Sequence, residues 1–427
     1  MAKTAPPRYE VFASTAPGLE SITAGELKGL GIKGRQEIGG VTFAAGLGQI
    51  YESNLWLRTA SHVVVRLGQF HASTFYELER RAKKIPWLDF LPDNGSVEVR
   101  VTSRKSRLYH SDGVADRVLS AIARVAPPGV DLQMAESVHE GGATEEIDAE
   151  ATGKALSNGD VTDRSQSFLV RIVDDQCEIS ADSSGELLHR RGYRKEVAKA
   201  PLRETLAAAM VLASGWNGKR GEPLLDPMCG SGTILIEAAL LARGIAPGLK
   251  RDFQFMHWPG FDRALWNDLT EKARSSVTTP SLDIRGGDRD AGANSAATRN
   301  AERAGVTGDI RLSVDSLSAS IARLEDVTAG DGWILTNPPY GARVGDSDDL
   351  RDLYATLGKA LKAKRGWRMG ILTSDAMLAG QMRIPIRPRF SSRNGGIPVN
   401  FLVSEKIDEA MVRSRKSGVG GIASATK

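Results

Sequence analysis

Only two cysteines, Cys177 and Cys229, occur in 427 residues. So sparse a supply excludes a disulfide scaffold and a cysteine-based zinc cluster. Histidine is scarce as well, with six residues and none at metal-ligand spacing, so no metal is expected. Nowhere do ~18 apolar residues run together, which argues against a membrane-crossing helix. The opening residues, MAKTAPPRYE, lack the basic and apolar regions of a secretory signal. A reducing cytoplasm with both thiols free is the expected setting. A large excess of one charge is also missing: the net charge is +4, compatible with a polyanionic partner without requiring one.

What is present is the composition of a globular protein, 41% hydrophobic and 25% charged, in a chain long enough for two or three domains. The first third alternates strand-like runs (YEVFAST, VTFAAG, HVVVRLGQF, SVEVRVTS) with helix-like ones (GLESITAGELKGLG, TFYELERRAKKI, SDGVADRVLSAIARV). That is an α+β pattern. Residues 134–167 shift to Glu, Asp, Gly, Ala and Ser and read as a flexible acidic insertion. Two strands follow around Asp174-Asp175. Beyond a boundary near Gly185 the pattern becomes strand, turn, helix, repeated, which predicts a doubly wound, mainly parallel Rossmann-like sheet over 185–410. The tail 411–427 is predicted to be disordered.

LLDPMCGSGT joins an apolar strand to a helix. In doubly wound sheets ligands lie beyond the carboxyl ends of strands, where glycine lets the backbone approach them. Asp226, Pro227, Cys229, Gly230, Ser231, Gly232 and Thr233 are therefore candidate cofactor contacts, Cys229 as a small residue tolerated in the turn. The third glycine of a dinucleotide fingerprint is Leu235, and the Lys-Ser/Thr of a P-loop is missing. Asp226 would repel pyrophosphate and suits an ammonium group. The next strand ends in Asp288, placed for ribose hydroxyls, with Asp290 a second cofactor candidate that is also positioned to cap the following helix. Asp315, with Ser316, follows a third strand. Three acids at successive strand ends favour a nucleoside ligand without phosphates, and S-adenosylmethionine fits better than NAD or ATP.

TNPPYG ends another apolar strand. An exocyclic base amine is a poor nucleophile because its lone pair is delocalised into the ring. Two acceptors on its hydrogens draw the nitrogen toward tetrahedral geometry. The Asn337 side-chain oxygen and the Pro338 carbonyl can serve, with Pro338 and Pro339 fixing the backbone and Tyr340 offering a face for stacking. Positioning then supplies most of the acceleration.

On these residues the chain resembles the THUMP-containing class I S-adenosylmethionine-dependent RNA guanine-N2 methyltransferases, and within them the bacterial large-subunit rRNA enzymes similar to the N-terminal half of RlmL. The marks are ELLHRRGYRKEVAKAPLRETLAAAM, LLDPMCGSGTILIEAALLA, GGDRDAGANSAATRNAERAG and TNPPYG. The resemblance implies a ferredoxin-like unit over 1–55, a THUMP-like RNA-binding domain over 56–184, and further cofactor contacts at Pro201, Leu202 and Glu204. It implies RNA as partner, ribosomal RNA ahead of tRNA, and a target guanine flipped into the Asn337 pocket. Arg104, Lys105 and Arg107, together with Arg190, Arg191 and Arg194, are the basic residues considered for RNA contact. The NPPY motif alone is shared with DNA adenine-N6 methyltransferases and with enzymes that methylate a glutamine amide. A non-catalytic RNA-binding assembly factor is a further alternative.

Overall fold

The computed structural model describes residues 7–134, 165–196, 202–326, 331–339, 347–364 and 366–406. The predicted disordered tail lies outside the described residues, as does 135–164 of the predicted acidic insertion. The chain divides into two compact units, one of residues 1–191 with 245–276, the other of 192–244 with 277–427.

The first unit is built on one eight-stranded sheet in the order β2-β3-β1-β4-β8-β7-β5-β6. Its strands are β1 (Tyr9–Thr15), β2 (Gly34–Glu37), β3 (Gly40–Ala45), β4 (Ala60–His71), β5 (Asn94–Arg104), β6 (Gly129–Met134), β7 (Ser165–Val173) and β8 (Gln176–Asp182). The two regions expected at 1–55 and 56–184 thus share a sheet, joined where β1 pairs antiparallel with β4. Asp174 and Asp175 both have positive φ, 49° and 62°, as a two-residue hairpin turn between right-twisted strands requires. β2 and β6 are not among the predicted strands: β2 is short and polar, and β6 is a short, mostly exposed edge strand.

Residues 245–276 belong to this unit although their sequence neighbours belong to the other. Phe253, Phe255, Trp258 and Trp266 are buried in its core. Tyr51 stacks on Phe255 at 4.4 Å, and its hydroxyl accepts from the Asp262 N–H at 3.0 Å. Burial of four large aromatic side chains, each worth roughly 1.5–3 kcal/mol or more, explains why the segment remains with these strands.

The second unit has a seven-stranded sheet in the order β11-β10-β9-β12-β13-β15-β14. Its strands are β9 (Leu224–Asp226), β10 (Ile284–Asp288), β11 (Ile310–Val314), β12 (Trp333–Thr336), β13 (Arg368–Thr373), β14 (Ile386–Asn394) and β15 (Ile397–Ser404). β9 to β13 are parallel, and β15 runs antiparallel between β13 and β14. The β14–β15 hairpin is not among the predicted elements; its signal is Gly395-Gly396, both at positive φ. The order reverses at β9, which has β10 on one side and β12 on the other, so a ligand crevice opens beyond the carboxyl ends of these strands.

Candidate active site

β9 ends at buried Asp226 and the chain turns through 227–232 into the helix Thr233–Ala242. The turn needs its glycines: Gly230 and Gly232 have φ of 52° and 81°, and a Cβ on Gly232 would lie 3.0 Å from that of Ala297. β10 holds the turn from the side. The Cys229 N–H donates to the Gly287 carbonyl at 3.0 Å, and the Gly230 N–H to Asp288 Oδ2 at 2.9 Å.

Asp226 Oδ1 accepts from Thr336 Oγ1 at 2.7 Å and from the Met228 N–H at 3.2 Å. Burial pushes its carboxyl up from an ordinary 3.8 to about 7; these two hydrogen bonds oppose the shift and the nearby Asp288 charge adds to it. A carboxyl in this state is half-ionised near neutrality and becomes fully ionised when a cation is placed against it.

Asp288 Oδ1 accepts from the Asp290 N–H at 2.9 Å, so each of its oxygens already fixes backbone and each retains a lone pair for a ligand. Asp290 caps the helix Ala291–Ala304, accepting from the Gly292 and Ala293 N–H groups. The Asp315 carboxylate is held by the Arg323 guanidinium at 2.7 and 3.0 Å, and Ser316 caps the short helix Leu317–Ala322.

Asn337 directly follows β12. Its Oδ1 is buried and has no hydrogen-bond partner among the described residues. An acceptor in that state calls for a donor that the described residues do not supply.

These groups surround one cavity of about 950 Å³. Of the residues expected at the site, it brings together Leu202, Asp226, Pro227, Cys229, Gly230, Ser231, Thr233, Asp288, Asp290, Asp315, Ser316, Asn337 and Pro339. Gly232, Glu204 and Pro338 are not on its wall. Pro201 and Tyr340 lie outside the described residues. Glu204 is buried and paired with Arg194 at 2.9 Å, a structural ion pair. Sequence reasoning missed Met228, Ile234, Arg289, Ala293, Leu317, Ser318 and, from the helix Ser347–Lys362, Leu350, Asp352, Leu353 and Thr356. No local motif marks the helical residues; only their spacing on one face could have drawn attention to them.

Arg104 ends β5, and Lys105 and Arg107 are exposed on the loop after it, which Asp175 pins by accepting from Ser106 Oγ and the Arg107 N–H; Arg104 is exposed as well. Arg191 and Arg194 each make hydrogen bonds or ion pairs within the chain. Arg191 is 4% exposed and donates to the Arg58 carbonyl, and Arg194 is the partner of Glu204. Arg190 is partly exposed beside Glu186. Among the described residues no group of three or more His, Cys, Asp or Glu side chains is arranged to hold a metal, and no helix is long and apolar enough to cross a membrane.

The sheet order and the acid-lined cavity at its switch point define a Rossmann-like methyltransferase. Residues 191–399 match the family described as RMKL-like, methyltransferase domain; residues 10–64 match the RlmL ferredoxin-like domain and 72–138 the THUMP domain. A protein of Synechocystis sp. provisionally named RNA methyltransferase slr0064 is 33% identical over 398 residues, covering 92% of this chain and 96% of that one. The ribosomal RNA large subunit methyltransferase K/L of Syntrophotalea carbinolica is 34% identical over 407 residues, covering 92% of this chain and 54% of the relative, so the chain spans about half of that protein's length. Among solved structures, SMU.472, provisionally titled a methyltransferase and complexed with SAH, aligns at a TM-score of 0.78 and 28% identity over 94% of this chain and 99% of that one. The chain belongs to the family of methyltransferases that join an RlmL-type ferredoxin-like domain and a THUMP domain to an RMKL-like catalytic domain.

Proposed function

We propose that this chain methylates the exocyclic N2 amine of a guanine in RNA, with S-adenosylmethionine as methyl donor and large-subunit ribosomal RNA as the favoured substrate. The observation that carries the reading is Asn337 Oδ1, a buried acceptor on the cavity wall with no partner among the described residues. Leaving such an atom unpaired costs about 1–3 kcal/mol, and an incoming amine N–H removes that cost.

The bound cofactor supplies an electrophilic methyl group on a sulfonium. Asp226 holds its ammonium, Asp288 its ribose, and the turn at 227–233 approaches it with backbone. Asn337 Oδ1 accepts from one amine hydrogen, which draws the nitrogen lone pair toward the methyl; the Pro338 carbonyl, expected as the second acceptor, is not on the cavity wall. Proton loss follows transfer, so no strong base is required. A cavity of about 950 Å³ is large enough for a flipped base beside the cofactor.

RNA is favoured over DNA by the THUMP match and by the exposed basic residues at the end of β5 and just after it, Arg104, Lys105 and Arg107. The named activity of the K/L relatives favours large-subunit rRNA. The test is transfer of labelled methyl to deproteinised ribosomal RNA from a strain lacking the gene, beside its tRNA and its DNA. N2-methylguanosine in ribosomal RNA is expected. Label confined to tRNA would overturn the rRNA assignment, and label as N6-methyladenine in DNA would overturn the RNA one.

A further inference from the structure

We infer that Asp352 reads the ring edge beside the target amine and selects guanine. The inference rests on the proposed guanine-N2 reaction and adds the residue that sets base specificity.

Five aspartates line the cavity, and four are engaged. Asp226 accepts from Thr336, Asp288 from the Gly230 N–H, Asp290 from the helix it caps, and Asp315 from Arg323. Asp352 has no hydrogen bond or ion pair among the described residues. It does not belong to the strand-end row: it is an exposed residue of the helix Ser347–Lys362, which with Leu353 and Thr356 contributes to the lining of the same cavity as Asn337 and Pro339. The acids that shape the cofactor half of the cavity come from β9, β10 and the turn after β11, so an acid from another element is available to the substrate.

Asn337 accepts from an amine without distinguishing which base bears it. The neighbouring ring atom does distinguish them. The C2 amine of guanine is flanked by N3, which has a lone pair, and by N1, which carries a hydrogen, and Asp352 is assigned to the N1 side. Beside the C6 amine of adenine and the C4 amine of cytosine lies a ring nitrogen with a lone pair. An ionised carboxylate only accepts. It therefore bonds guanine N1–H and opposes adenine and cytosine, whose lone pairs would face its own. Carboxylate acceptors discriminate bases by this edge chemistry elsewhere, and a site built for a donor rejects an analogue lacking it by far more than lost contact area alone implies.

The decisive probe is 2-aminopurine, which keeps the C2 amine but has a lone pair at N1. The target nucleotide is first mapped by mass spectrometry in ribosomal RNA from a strain lacking the gene. That RNA is then rebuilt by ligation around a synthetic segment carrying guanine or 2-aminopurine at the mapped position. The wild-type protein is expected to prefer guanine by about 100-fold or more in kcat/KM. Asp352→Asn, whose amide can also donate, should narrow the gap to under about 10-fold, and Asp352→Ala should lose about 100-fold on guanine. Cofactor affinity should stay within about threefold in both. Unchanged discrimination in Asp352→Asn would overturn the inference, as would a tenfold loss of cofactor affinity, which would assign the acid to the cofactor. If the wild-type protein itself leaves no methyl on guanine, the underlying reaction fails and the inference with it.

Discussion

Thr336 Oγ1 donates a 2.7 Å hydrogen bond to Asp226 Oδ1, and both residues are buried. The bond ties the last residue of β12 to the last residue of β9. The strand end that leads into Asn337 is thereby fixed to the strand end that leads into the Gly-rich turn. Thr336→Val keeps the shape and removes the donor. Stability is expected to fall by about 1–3 kcal/mol, with cofactor affinity and transfer rate falling together. Thermal unfolding and calorimetric titration check this; an unchanged melting temperature with unchanged affinity would leave the bond without the role assigned to it.

If Asp226 holds the ammonium as proposed, ligand binding should depend on pH. Its carboxyl is raised to about 7, chiefly by burial. Between its ordinary value and the raised one the folded chain holds a proton that the unfolded chain has lost. Its contribution to stability is thus fully present below pH 3.8 and is lost as pH rises through about 7. Asp226→Asn should flatten that part of the ligand-free stability profile. A cationic ammonium favours the carboxylate, so cofactor affinity should rise roughly tenfold per pH unit below about 7 and then level off, with proton release. Titration in buffers of different ionisation enthalpy measures the released proton. 5′-Methylthioadenosine, which has no amino-acid group, should show neither effect.

Asp288 and Asp290 stand two residues apart and should behave differently. Asp290→Ala removes a helix cap and is expected to cost about 1 kcal/mol while leaving cofactor affinity nearly unchanged. Asp288→Ala removes the acceptor for the Gly230 N–H and the one proposed for the cofactor ribose, and affinity should fall by more than about tenfold, the usual scale for a lost charge-assisted hydrogen bond. Equal losses in the two variants would contradict this division.

Gly232→Ala should be more damaging than an ordinary surface change. The position has φ of 81° and its new Cβ would meet Ala297 at 3.0 Å. A cost of roughly 1–3 kcal/mol is expected, together with weakened cofactor binding, and differential scanning calorimetry with titration would reveal both.

Much of the catalytic half was legible because its residues carry conformational and chemical constraints at fixed offsets. Gly230 and Gly232 mark a positive-φ turn, Asp226, Asp288 and Asp315 end successive strands, and Pro338 and Pro339 stiffen the segment after Asn337. Contacts between residues distant in sequence were not legible. That Arg194 would meet Glu204, that Arg191 would be buried, or that Phe253 and Trp266 would leave their neighbours for the first unit depends on packing that charge and hydropathy do not encode locally. Asp352 escaped notice for the same reason: on an amphipathic helix an exposed acid is unremarkable until the cavity it lines is known.

The most direct test of the account is Asn337→Ala, assayed for single-turnover methyl transfer to ribosomal RNA and, in parallel, for cofactor affinity by titration. If Asn337 Oδ1 accepts from the target amine, transfer should slow by about 10²–10³-fold, the scale for loss of one preorganised transition-state hydrogen bond, while cofactor affinity stays within about threefold. Transfer at a rate near that of the wild-type protein would contradict the central claim.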